Sequence, residues 1–396
     1  MNRKSLALFL ISAAGLCATA PIALCQELFR LPDGPREIKK PDASPKRGYY
    51  TVVPLKEGAT KVEDIINQST TGTTIPLWGY GVVSPLDNKS YSGQMVGRAP
   101  FFHGHRSTSV QAYLVPVALT FDDTNTVFDP TAPDACIGND TVMNVTVSSP
   151  MFQNASFTMN QANVGTTQYV DAFQRANFWG YVAGTSYHTL LTLKTLPKIS
   201  VSVGTTAGFT SVSNFCGYYG ELDYNVWDSY VQNTLIPSLK AQGVGPTDLP
   251  IFIFDSVVMY GNSDPNDCCI LGYHGSYTPS NVLQTYSVTN FDTAGDFSPD
   301  ISTISHEIAE WMNDPLGTNA TPAWGHIGQV TGCQNNLEVG DPLSGTCFPS
   351  ITMNGFTYNP QELAFFTWFY RLSPSFGAGG LYSNNGTLTS GQGACS

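Results

Sequence analysis

The stretch TISHEIAEWMNDP, residues 303–315, constrains this chain more tightly than any other. Its periodicity predicts a helix over 300–313, with Asp300 able to cap the start and Pro315 unable to continue it. At about 100° per residue, Ile301, Ile304, Ile308, Trp311 and Met312 fall on one face. Thr303, His306, Glu307, Glu310 and Asp314 fall on the other. The apolar face has to be buried, most simply against a sheet. A merely solvated helix face usually mixes Lys with Glu, yet the only basic group here is His306.

The rest of the chain supplies that sheet. IPLWGYGVV (75–83), QAYLVPVALTF (111–121), NVTVSS (144–149) and KISVSVG (198–204) read as strands. LPIFIFDSVVMYG (249–261) is rich in β-branched and aromatic residues and reads as a central strand, and 268–278 and 283–291 add two more. Residues 167–179 have helical spacing, and 222–243 form a second helix capped by Asp223, interrupted at Pro237 and stopped by Gly243. After the motif helix come a long loop (315–350), a strand-like 351–358 and an apolar helix or strand at 363–371. No internal repeat is present. The order predicts an α+β fold, a mixed sheet packed against the motif helix and a backing helix.

Arg3 and Lys4, an apolar run from Ser5 to Ala20, and small residues at Ala23 and Cys25 read as a signal peptide, 1–25, cut before Gln26. No later stretch reaches the roughly 18 apolar residues of a membrane helix, so a secreted or extracytoplasmic protein without a membrane span is expected. Residues 26–74 begin with a charged run spaced by Pro32, Pro35, Pro41 and Pro45 and read as a mobile leader, leaving 75–396 as one domain. Charged residues are only 12% of the chain and the net charge is −12, which argues against nucleic acid as a partner. Of nine cysteines, Cys17 and Cys25 lie in the signal segment, and an odd number remains. In an exported chain these predict disulfides and one leftover thiol. Cys333 and Cys347 make the best local pair, and adjacent Cys268 and Cys269 are expected to reach different partners.

The chemistry concentrates on the helix. Positions four apart share a face, so His306 and Glu310 can grip one cation. Glu307 lies beside them, placed to act as general base on a water polarised by the ion. Asp314, a turn further on and too far to join the same ion, suits orienting a ligand or tying down the helix end. A third ligand is expected from NNLEVGDPLSGTC (335–347), as Glu338 or Asp341. Three of the nine Glu residues, Glu307, Glu310 and Glu338, fall within one 32-residue span. One imidazole with two carboxylates cancels a divalent charge and hardens the site, so Zn is expected first, with Mn or Ca competitive. His103 and His105 read as a surface loop, His326 as an oxyanion donor or a turn cap, and His274 as a plain sheet residue. No nucleophile elbow, phosphate loop or dinucleotide fingerprint appears.

His306-Glu307-x-x-Glu310 on a helix after a set of strands resembles the zincin metallopeptidases, with Glu310 where they carry a second His. The resemblance implies zincin-like packing of sheet and helix. It also implies a metal on His306, Glu310 and a downstream carboxylate, with Glu307 as catalytic base and a protein or peptide substrate. The C-terminal part also resembles the EXORDIUM-like (phosphate-induced) secreted protein family. It does so through His306-Glu307-Ile308-Ala309-Glu310, Asp314-Pro315, Glu338-Val339-Gly340-Asp341, Asn354-Gly355 and Phe365-Phe366-Thr367-Trp368. That resemblance implies a secreted or wall-associated protein and makes Glu310 a family feature. Two functions are expected. One is an exported metal-dependent hydrolase of the peptidase kind; the other is a non-catalytic secreted binding, signalling or cell-surface protein with a structural or vestigial metal site.

Overall fold

LPIFIFD lies in the strand Asp248–Asp255, buried along its whole length in a 12-stranded mixed sheet. The computed structural model describes residues 28–35, 38, 40, 47–56, 58, 60–103 and 105–395, so the signal segment 1–25 falls outside it. To one side of this strand lie Thr108–Phe121, Ile199–Val203 and Leu28–Arg30, all parallel. To the other side Gln284–Phe291 is parallel, and Cys268–Tyr277 then runs antiparallel to it. Val257–Tyr260, Tyr218–Asp223 and Gly208–Val212 complete the path.

Both faces of the sheet are covered, because side chains alternate across a strand. Leu249, Ile251 and Ile253 enter one core; Phe252 and Phe254 enter the other. The first core takes the motif helix, Ser302–Asn313, and the helix Tyr169–Asn177. The second takes Trp227, Val231 and Leu239 of the helical run from Tyr224 to Leu239. Asp223 accepts from the backbone N–H of Asn225 and Val226, and Gly243 ends the run at φ 89°, as the sequence predicts. The fold class is α+β.

Several local expectations are corrected. Residues 144–149 are not a strand; Thr141 accepts from the Asn144 N–H and starts the helix Val142–Val147. A short β-branched run does not separate strand from helix by periodicity alone, and here the cap decides. The run 249–261 is two strands, broken at Ser256, whose φ is 49°. The loop 315–350 contains the hairpin Ala320–Ile327/Val330–Asn336. The motif helix begins at Ser302, and Asp300 holds Asn359 as well as the Ile301 N–H.

The leader reading of 26–74 does not hold for its described residues. Leu28–Arg30 pairs with Ile199–Val203, and Tyr49–Val53 pairs in parallel with Cys268–Tyr277. YYTVV is a strong strand former, and the open edge of Cys268–Tyr277 gives it a ladder to join.

The disulfides are Cys136–Cys216, Cys268–Cys269 and Cys333–Cys395; Cys347 is free and exposed. Both sequence-based pairings are therefore overturned, while the leftover thiol is found. Cys333 reaches Cys395 because Arg371 holds the C-terminal segment through the carbonyls of Gln392 and Gly393, at 2.7 and 3.3 Å. Among the described residues no helix is long and apolar enough to cross a membrane.

Candidate metal centre

Every residue of Ser302–Asn313 is buried, so the polar face of the helix is as enclosed as the apolar one. That face meets the strand Cys268–Tyr277 where Gly272 removes a side chain. A Cβ there would lie 2.8 Å from Thr303 Cγ2 and 3.0 Å from Glu307 Cγ. His274, two residues along on the same face of the strand, points into the gap beside Glu307.

His306 is held from three sides. Its ring stacks on Tyr50 at 3.6 Å between centroids and 20° between planes. Its Nδ1 lies 3.1 Å from Gln361 Oε1. The Gln361 amide nitrogen donates to the Gly340 carbonyl at 2.7 Å, which leaves its oxygen as the acceptor. His306 Nδ1 therefore carries a proton, and the neutral ring that a cation requires turns its Nε2 lone pair inward. That Nε2 is buried, has no hydrogen-bond partner, and faces Glu310 Oε2 at 3.0 Å and Asp341 Oδ1 at 3.5 Å. The Gly340 N–H donates to Glu310 Oε1 at 3.0 Å, and Gln334 donates to Asp341 Oδ2 at 2.8 Å. The lone pair and both carboxylates thus converge on one point.

His274 repeats the pattern from the sheet side. Its Nε2 donates to the Asp314 carbonyl at 3.0 Å, so Nδ1 presents its lone pair 3.4 Å from Glu307 Oε2 and 3.8 Å from Glu310 Oε2. The Asp314 carboxylate accepts from the N–H groups of Thr318 and Asn319, which ties down the helix end, the second of its two expected roles.

Burial pushes the carboxyls of Glu307, Glu310 and Glu338 well above the usual range, and their mutual repulsion pushes them further. Burial alone would lower His306, but Asp341 and Glu307 outweigh it and leave its pKa raised. Burial drives His274 down to about 3, so it is neutral. Among the described residues no Lys or Arg forms an ion pair with any of these groups. Uncompensated buried carboxylates are costly. Facing lone pairs, orphaned Glu307 Oε1 and Glu338 Oε2, and the absence of a basic partner all fit a divalent cation.

The expected site residues His306, Glu307, Glu310, Glu338 and Asp341 do converge, and all are buried. Asp341, not Glu338, joins His306 and Glu310 in one triad of ligand-type atoms within 4.8 Å of one another. Glu338 approaches from the far side, its Oε2 4.0 Å from His274 Nε2. His274, which the sequence presents as a plain sheet residue, lies in the cluster with its Nδ1 3.4 Å from Glu307 Oε2. Gln361 and Tyr50 carry no sequence signal for their roles. His326 is exposed beside the Cys333–Cys395 disulfide, away from the cluster. The His103 side chain lies outside the described residues, and His105 is exposed.

No family model, curated protein or solved structure matches the chain.

Proposed function

We infer that this chain is an exported metal-dependent hydrolase, zincin-like in its use of one helix for both ligand and base, acting on a protein or peptide. The observation that carries the reading is the His306 Nε2 lone pair, fixed by Gln361 and aimed between Glu310 and Asp341. A divalent ion there, Zn first and Mn or Ca in competition, would polarise a carbonyl and acidify a water. Glu307, one residue along the helix with Oε1 unpartnered, is the group that would accept the proton. The disulfides fit an oxidising compartment outside the cytoplasm.

One observation favours the non-catalytic alternative. Catalytic metal sites keep an open position, whereas Tyr50 covers His306 and is itself only 5% exposed. In that reading the ion ties helix, sheet and the 338–341 loop together in a secreted binding or signalling protein.

Metal analysis of the purified mature protein, followed by casein and peptide-library cleavage, separates the two. Bound metal with cleavage abolished by Glu307→Gln, the ion at His306, Glu310 and Asp341 retained, supports the hydrolase. Metal with no cleavage of any substrate supports the structural role. No metal, and melting unchanged by chelator, overturns both.

A further inference from the structure

We propose that the buried cluster is built for two divalent cations bridged by Glu310, with His274 and Glu307 as ligands of the second. The proposal rests on the reading of the first ion at His306, Glu310 and Asp341 and adds a site to it.

The ligand-type atoms fall into two triads, His306/Glu310/Asp341 and His274/Glu307/Glu310. Within each triad the atoms lie within 4.8 Å of one another, and all five residues are buried. The two histidines fall in different triads and meet only at Glu310. They come from different elements, one from the helix and one from the sheet, and reach the same Glu310 oxygen at 3.0 and 3.8 Å.

Each imidazole is fixed in the tautomer that a ligand needs. The outer nitrogen of His306 is committed to Gln361 Oε1 and that of His274 to the Asp314 carbonyl, both acceptors. In the neutral rings both inner nitrogens therefore turn lone pairs toward carboxylate oxygens. A lone pair opposite a carboxylate is repulsive unless a proton or a cation lies between them. Nitrogen and oxygen ligands about a tetrahedral ion, bonded at roughly 2.0–2.2 Å, stand roughly 3.3–3.6 Å apart. The pairs seen here, 3.0 and 3.5 Å around His306 and 3.4 and 3.8 Å around His274, bracket that spacing.

Charge points the same way. Glu307, Glu310, Glu338 and Asp341 share one buried volume with no Lys or Arg paired to them among the described residues. Ionised, they carry four negative charges. One divalent ion leaves half of that uncompensated, and two ions balance it. Glu307 Oε1 and Glu338 Oε2 are buried carboxylate oxygens of the cluster without a hydrogen-bond partner. In the two-ion centre Glu307 would bind through Oε2, the oxygen that faces His274, which leaves the unpartnered Oε1 as the proton acceptor.

The test is a stoichiometry. Full-length mature protein is stripped with chelator, reloaded with Mn(II) and separately with Zn(II), desalted and assayed by inductively coupled plasma mass spectrometry. Electron paramagnetic resonance is recorded on the Mn(II) form. Two equivalents are expected, with an exchange-coupled Mn(II) signal. His274→Gln and Glu307→Gln are each expected to drop to one equivalent with an uncoupled signal. Near-UV circular dichroism screens both variants, so that either one, if folded, decides the matter. One equivalent in the wild type overturns the second site and leaves the first standing. Two equivalents that survive both substitutions also overturn it, because the second ion then lies elsewhere. No metal at all overturns the first site together with the second.

Discussion

Replacing Gly340 with Ala separates a steric requirement from a conformational one. Gly340 sits at φ −86° and ψ −34°, a conformation that any L-residue adopts. On backbone grounds alone Ala should stabilise the fold by about 0.4–1 kcal/mol, by restricting the unfolded chain. The contacts predict the opposite sign. A Cβ on Gly340 would lie 2.7 Å from His306 Cγ and closer still to Nδ1. The ring cannot retreat, because Tyr50 stacks on it and Gln361 holds its edge. Either the ring or the 338–341 loop has to shift by about 1 Å, and overpacking of that kind costs about 1–3 kcal/mol. The same shift pulls the Gly340 N–H off Glu310 Oε1 and moves His306 off its axis. Loss of such outer support lowers metal affinity by about 10–100-fold. Urea denaturation of the chelator-treated protein measures the first effect, and titration against a competing chromophoric chelator measures the second. A Gly340→Ala protein as stable as the wild type or more so, with unchanged affinity, would refute the claim that this glycine exists to let the loop pass over His306.

Three further outcomes are expected. Gln361→Leu should weaken metal binding by about 10–100-fold by freeing the His306 ring, while Gln361→Glu, which keeps an acceptor, should recover part of it in the same chelator competition. Tyr50→Ala should lower stability by about 3 kcal/mol or more and speed removal of the ion by chelator in stopped flow, and an unchanged stripping rate would mean that Tyr50 does not close the site. Burial raises Glu221 and Asp255 each to about 7, so the folded state holds their protons where the unfolded chain releases them. Their contribution is full below the unfolded values of 4.5 and 3.8 and is lost as pH rises through 7. Each adds a slope of up to about 1.4 kcal/mol per pH unit in that window. Glu221→Gln with Asp255→Asn should flatten the fall relative to wild type in urea titrations from pH 4 to 8.

Elements whose signals are local can be read from the amino-acid sequence. The motif helix follows from 3.6-residue periodicity and a proline stop, and the central strand from a run of β-branched and aromatic residues. Asp223 and Gly243 act as caps because capping is chemistry among near neighbours. The core of the site was legible for the same reason: His306, Glu307 and Glu310 are one turn of one helix, and Glu338 and Asp341 share one short loop. Other features depend on which distant segments meet in the folded chain. His274 joins the cluster because Gly272 lets the helix lie close to its strand. Tyr50 covers His306 because Tyr49–Val53 takes the free edge of that strand. Gln361 fixes the imidazole from a segment 55 residues further along. Cys333 finds Cys395 in preference to Cys347 because Arg371 anchors the C-terminal segment beside the hairpin. Periodicity records how a residue relates to its own helix or strand. Proximity between segments is set by packing the whole chain, and no short-range pattern carries it.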